Sequence, residues 1–156
     1  MNKSTIPADQ RLAIGMLLDD HRSAKKHFKA FEQASSDDEK GQIAREVCME
    51  LTAHTQLEEE LFYPFLRDVP GLEDMLDEAV VEHASAKDLI AQIQAMQPGD
   101  DLFDAKVTVL GEYINHHVGE EEGELFPKVI AKKVDMRELG ERMKARKEEL
   151  MAVATA

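Results

Sequence analysis

The sequence predicts an all-α protein: an up-down-up-down four-helix bundle with an additional C-terminal helix. Three observations carry that prediction. Apolar residues recur at alternating intervals of three and four through four long stretches, the spacing of a helix with one buried face. No stretch sustains the two-residue alternation of β-branched residues that marks a strand. The stretches are joined by short polar or Pro-Gly links, which set consecutive helices side by side and antiparallel.

The first stripe reads Ile14, Leu17, His21, Ala24, Phe28, Phe31 and predicts a helix from near Asp9 to Ala34, stopped by Ser35-Ser36-Asp37-Asp38. Ser36 followed by Glu39 forms a capping box for the second helix, whose inner face reads Ile43, Val47, Leu51, His54, Glu58, Leu61, Phe65. Pro64 removes a backbone donor and is expected to kink or end its last turn. After the connection Asp68-Val69-Pro70-Gly71, the third helix carries Leu72, Leu76, Ala79, His83, Ala86, Ile90, Ile93 and ends at Pro98-Gly99. The fourth is expected to open at Asp100 or Asp101 and carries Phe103, Val107, Leu110, Ile114, His117, Glu121, Leu125. A fifth, capped by Asp135 and Glu138 and running from Arg137 to about Met151, has only Leu139, Met143 and Leu150 as its apolar side. It reads as a surface arm for packing or for a homodimer contact, outside the chemistry. The division is therefore 1–134 for the bundle and 135–156 for a helical extension.

A chain of 156 residues fits one domain and can bury a core of useful size. Its formal charge of −13 argues against a nucleic-acid or anionic-membrane partner, because phosphate binding draws on Lys and Arg. Cys48 is the one cysteine, so neither an intramolecular disulfide nor a thiolate cluster can form. The apolar run Leu12 to Leu18 is short and followed by Asp19 and Asp20, unlike a signal peptide or a membrane span. A cytoplasmic location is the expectation.

The chemistry is written twice. His54 to Pro64 (HTQLEEELFYP) matches His117 to Pro127 (HVGEEEGELFP): a histidine, a glutamate four residues on (Glu58, Glu121), and a proline ten residues on. Upstream, Asp20-His21-Arg22-Ser23-Ala24-Lys25 reappears as Glu82-His83-Ala84-Ser85-Ala86-Lys87 at an offset of 62 residues, against 63 for the His54 and His117 stretches. Four residues advance a helix by about 400°, so each imidazole and its carboxylate leave one face about a turn apart, as a two-armed claw for a cation. With His21 and His83, four nitrogens and two carboxylates suit two closely spaced transition-metal ions. A lone histidine on an apolar stripe is more often a hydrogen-bonded core residue. Four at repeat-related positions, with two carboxylates at the same level, would cost several kcal/mol per unpaired charge unless cations neutralise them (roughly 3–5 for a broken buried pair).

Other residues read more plainly. The remaining glutamates of the runs Glu58 to Glu60 and Glu120 to Glu122 turn away by about 100° or more and belong to a solvated face. His116 pairs with Glu120 at the same spacing and offers an alternative register. Aligning the two prolines matches His117 with His54 and leaves His116 opposite Ala53, which rejects it. His27, opposite Leu89, and His116 read as surface or supporting residues. Lys25 and Lys87 are expected to extend to solvent, with a hydrogen bond to a metal-bound oxygen species as their functional alternative. Neither Tyr63 nor Tyr113 can be placed from spacing.

The arrangement of His21, His54 with Glu58, His83, and His117 with Glu121 resembles the hemerythrin-like HHE cation-binding domain over roughly Leu12 to Lys132. That resemblance implies a non-haem di-iron centre in a four-helix bundle: two iron ions bridged by carboxylates and an oxo or hydroxo group. It makes metal ligands of His21, His54, Glu58, His83, His117 and Glu121. Oxygen-carrying hemerythrins use a His-x3-His pair on the third helix, whereas Lys87 stands at the second position here. One imidazole fewer implies more open coordination sites and favours reaction with O2, peroxide or NO over reversible oxygen carriage. Ferritin-like bundles need Glu-x-x-His pairs, and Leu51, Val80 and Ile114 occupy those positions. The expected function is binding or sensing of O2, NO or a related oxidant. The alternative is a di-iron redox enzyme acting on peroxide or nitric oxide. A purely structural zinc ion would leave ligands unused among six.

Overall fold

The structure, a computed structural model, describes residues 1–155. Nothing in it is extended into strands among those residues; after a 3-10 turn at Lys3–Thr5 the chain is a succession of helices. These are α1 (Ala8–Gln33), α2 (Asp37–Leu57), α3 (Tyr63–Arg67), α4 (Glu73–Gln94), α5 (Phe103–Glu120), α6 (Phe126–Ala131) and α7 (Arg137–Thr155). The hydroxyl of Ser36 accepts the Glu39 N–H at 3.2 Å, and the Glu39 carboxylate accepts the N–H of Ser35 at 3.1 Å. The cap of α2 is thus built by the residues that the sequence marks for it, with Ser35 in place of Ser36 as the second donor.

Helical structure continues past Pro64 to Arg67. A π turn at Glu58–Phe62 joins α2 to α3, and the same device at Glu121–Leu125 joins α5 to α6. Each proline lies at the second position of the segment that follows, where its missing N–H and bulky ring would disturb an ordinary turn. The wider turn accommodates it: the Tyr63 N–H reaches back five residues to the Glu58 carbonyl, and that of Phe126 to the Glu121 carbonyl. The extra residue rotates everything after it. Phe62, Tyr63 and Leu66 are therefore buried, whereas Leu61 and Phe65, on the extrapolated stripe, are only half-buried.

The fourth long helix also starts later than expected, at Phe103. Asp100 is used instead to close the preceding turn, its carboxylate accepting the Gln97 N–H at 2.8 Å.

Around the ring, α1 lies beside α2, α2 beside α4, α4 beside α5, and α5 beside α1. The apolar core is divided in two. One end is filled by Leu17, Phe62, Leu66, Leu76, Phe126 and Val129, the other by Phe31, Val47, Ile90, Phe103, Val107 and Leu110. Between them lies a buried polar layer.

The last helix is more than a surface arm. α7 runs along α1 and α2 and buries Leu139, Gly140 and Met143 in the first core. Gly140 permits that approach, since a Cβ there would come within 3.0 Å of the Leu12 side chain and 3.1 Å of the Ala13 backbone nitrogen. The Met136 N–H donates to the Asp9 carbonyl at 3.1 Å, fixing where α7 begins on α1. Sparse apolar spacing hid this because a few contacts against a long helix suffice.

Candidate metal centre

The polar layer consists of His21 on α1, His54 and Glu58 at the junction of α2 with its π turn, His83 on α4, and His117 and Glu121 at the matching junction of α5. All six side chains are buried. They form two triads, His21–His54–Glu121 and Glu58–His83–His117, each with donor atoms within 4.8 Å of one another. Each half of the repeat supplies two imidazoles to one triad and its carboxylate to the other. Glu58 also stays with its own half, Oε1 lying 3.1 Å from His54 Nε2 and 3.2 Å from His83 Nε2. Glu121 Oε1 likewise lies 3.0 Å from His21 Nε2 and 3.5 Å from His117 Nε2. Both carboxylates stand between the triads.

Every imidazole is held from behind by an acid. The Nδ1–H groups of His21, His54 and His117 donate at 2.9 Å to Glu122, Asp20 and Glu82, and that of His83 donates to Glu59 at 3.2 Å. An ionised carboxylate only accepts, so the proton resides on Nδ1 and Nε2 is left facing the triad. The four acids obey the repeat: Asp20 and Glu82 precede His21 and His83, and Glu59 and Glu122 follow Glu58 and Glu121. This corrects the solvated-face reading of Glu59 and Glu122. A basic group backs each acid in turn. Lys147 of α7 lies 2.5 Å from Asp20, Lys87 2.7 Å from Glu59, the Met1 amino group 3.1 Å from Glu122, and His116 3.4 Å from Glu82.

Without a metal, the layer is an array of buried ion pairs. Burial disfavours an imidazolium, yet the hydrogen bonds His21 donates to Glu121 and Glu122 outweigh it and push His21 up to about 8. His54 is raised well above its ordinary range for the same reason: burial is overcome by Glu58 and Asp20. His83 is raised by Glu58 and Glu59 against burial. Burial would raise the Glu58 carboxyl, but His54 and His83 hold it well below the usual range.

The donor set fits a metal on three counts. Two donors about 2.1 Å from a common ion lie roughly 3.0–4.2 Å apart, which brackets the separations above. Nitrogen and oxygen donors without thiolate suit iron, manganese, zinc or copper. His54 Nε2 and both Glu58 oxygens are buried without an aligned hydrogen-bond partner, although the imidazole nitrogen and Oε1 are close. Leaving such atoms unpaired costs about 1–3 kcal/mol each, which an ion bound between them would recover.

Tyr63 joins the site, which spacing alone could not show. Its hydroxyl donates to Glu121 Oε2 at 2.8 Å and lies 3.3 Å and 3.4 Å from the Nε2 atoms of His83 and His117. Burial and the neighbouring carboxylates push this phenol well above its ordinary pKa. The remaining candidates stand aside. His116 is exposed and pairs with Glu120 at 3.1 Å, outside the layer. His27 contacts the Ser23 carbonyl and Glu46. Lys25 and Lys87 are exposed; Tyr113 is half-exposed at the edge of a chamber of about 420 Å³ that opens onto all four imidazoles.

Fold and site together define a helical bundle with two histidine–carboxylate triads sharing their carboxylates. The chain belongs to the hemerythrin HHE cation-binding domain family, which matches residues 12–129. A hemerythrin HHE cation-binding domain-containing protein from Mycobacterium kansasii has the same fold, with a TM-score of 0.74, 23% identity, and coverage of 90% of this chain and 88% of that one. A DNA nickase from a Nostoc species is 31% identical over 107 residues, 69% of this chain. The matched region spans 30% of that relative's length. No helix among the described residues is long and apolar enough to cross a membrane.

Proposed function

We propose that the chain is a non-haem di-iron protein whose centre binds or senses O2, NO or a related small oxidant. In this reading His21, His54 and Glu121 hold one iron and Glu58, His83 and His117 the other, with both carboxylates and an oxo or hydroxo group as bridges. The observation that carries it is the exchange of Glu58 and Glu121 between the halves, which places two triads back to back around shared carboxylates. Bound iron supplies electron exchange and open coordination positions. The protein's own residues do the rest. Asp20, Glu59, Glu82 and Glu122 orient the imidazoles, and Tyr63 holds a proton beside Glu121.

Tyr63 also favours a second reading, a redox enzyme acting on peroxide or nitric oxide, since reduction of either consumes protons that a phenol at the site can relay. The test is to reconstitute the metal-free chain with ferrous iron under anaerobic conditions and add O2, NO and peroxide in turn. A reversible spectral change with O2 or NO supports the binder. Many turnovers of peroxide per chain, or of nitric oxide when an external electron donor is supplied, support the enzyme. Failure to take up iron contradicts both.

A further inference from the structure

The chamber beside the polar layer is far larger than O2, NO or hydrogen peroxide requires. It holds about 420 Å³, against roughly 150 Å³ for an engineered apolar cavity that takes up benzene. Its floor is the four imidazoles. Its walls are Ala24, Leu51, Ala86 and Ile114, each three residues from the histidine of its own helix and each buried. The opposite side of the layer is filled by Phe62, Tyr63 and Phe126, whereas on this side alanine occurs at both repeat-related positions and leaves room. Exposed Ser85, Tyr113 and His116 place the opening on the side of α4 and α5.

Charge narrows the class of occupant. No Lys or Arg lines the chamber among the described residues, while Asp20 and Glu82 do, so an anionic headgroup is disfavoured. A neutral oxygen headgroup directed at the imidazole layer, with a hydrocarbon body against the alanine, leucine and isoleucine walls, matches both the shape and the polarity. We propose, resting on the di-iron reading above, that the chamber takes a compact organic hydroperoxide, with an aryl or branched-alkyl body, or the alcohol derived from it.

Cumyl alcohol is the probe. Calorimetry with the iron-reconstituted chain is expected to show saturable binding in the millimolar range or tighter, weakened roughly tenfold or more in Ala86→Phe, which fills the chamber. Iron content is expected to persist in that variant. Absence of saturable binding, or binding unaffected by Ala86→Phe, while iron still binds, overturns the proposal and leaves the di-iron reading standing. Should Ala86→Phe fail to fold, isotope-labelled alanine methyls in the metal-free wild-type chain decide. Shifts at Ala24 and Ala86 on adding the alcohol support the proposal, and shifts confined to other alanines overturn it. Such shifts in a chain that takes up no iron would retain the chamber and remove the di-iron reading.

Discussion

The two halves of the molecule agree at the polar layer and diverge one shell away from it. His21, His54 and Glu58 have matching partners in His83, His117 and Glu121, and the π turns before Pro64 and Pro127 repeat to the residue. Tyr63, however, corresponds to Phe126. The phenol donates to Glu121 beside the second triad, while the Phe126 ring stacks on His21 with an interplanar angle of 3° beside the first. The backing groups differ as well: lysines behind Asp20 and Glu59, a histidine behind Glu82. The repeat thus creates two candidate metal sites of one design, and the surrounding shell makes them unequal.

The largest expected effect comes from removing what the halves share. Glu58→Ala or Glu121→Ala takes a ligand from one triad and a bridge from both, so metal analysis should show both ions lost rather than one. Next, Asp20→Ala removes the acceptor behind His54, and Glu82→Ala the one behind His117. Loss of such a partner typically weakens metal binding about 10- to 100-fold, measurable by competition with a chelator. If the halves are unequal, the two variants will affect different steps of a two-ion titration.

Tyr63→Phe makes the halves alike at that position. Losing a hydrogen bond to a charged partner should destabilise the metal-free chain by roughly 1.5–3 kcal/mol, read from denaturant unfolding. The reciprocal Phe126→Tyr should not restore that loss, because it leaves Glu121 without the phenol of Tyr63.

Acidity offers a comparison of a different kind, between metal-free and metal-loaded protein. His21 rises from its ordinary 6.5 to about 8 on folding, so its stabilisation is complete below the unfolded value and disappears as pH rises through about 8. A tenfold change in proton affinity is worth about 1.4 kcal/mol, so the metal-free chain should lose roughly 2 kcal/mol between pH 6 and pH 9 from this group. Denaturant unfolding at each pH measures it. With metal in place of that proton the same decline should be absent, and metal affinity should strengthen over the same interval. The smallest effect is expected for Lys147→Met, which leaves Asp20 without its α7 partner. A partly exposed pair contributes at most about 1 kcal/mol, so the variant should shift metal affinity only slightly.

Much of this was legible in the sequence because the repeat is a physical constraint. A histidine and a glutamate four apart, followed by a proline at the same distance, place the same chemistry on the same face in both halves. What the spacing concealed has equally definite causes. A period of 3.6 cannot anticipate a π turn, so the stripe extended through Leu61 and Phe65 when Phe62, Tyr63 and Leu66 were the residues turned inward. The matched prolines were the available signal. Asp20 and Glu82 were visible as the acid preceding each upstream histidine, but nothing in a single helix shows that they serve a histidine on its neighbour. Glu59 and Glu122 looked solvated for the same reason. α7 was legible as a helix, whereas its packing depended on a glycine meeting Leu12 across the chain.

The central claim is that two ions share the carboxylates of Glu58 and Glu121. Anaerobic titration of the metal-free chain with ferrous iron, followed spectroscopically, tests it most directly. Shared carboxylates require an endpoint at two irons per chain with magnetically coupled ions, and loss of both on Glu58→Ala. An endpoint at one iron, or a Glu58→Ala chain that still takes up two, would contradict it.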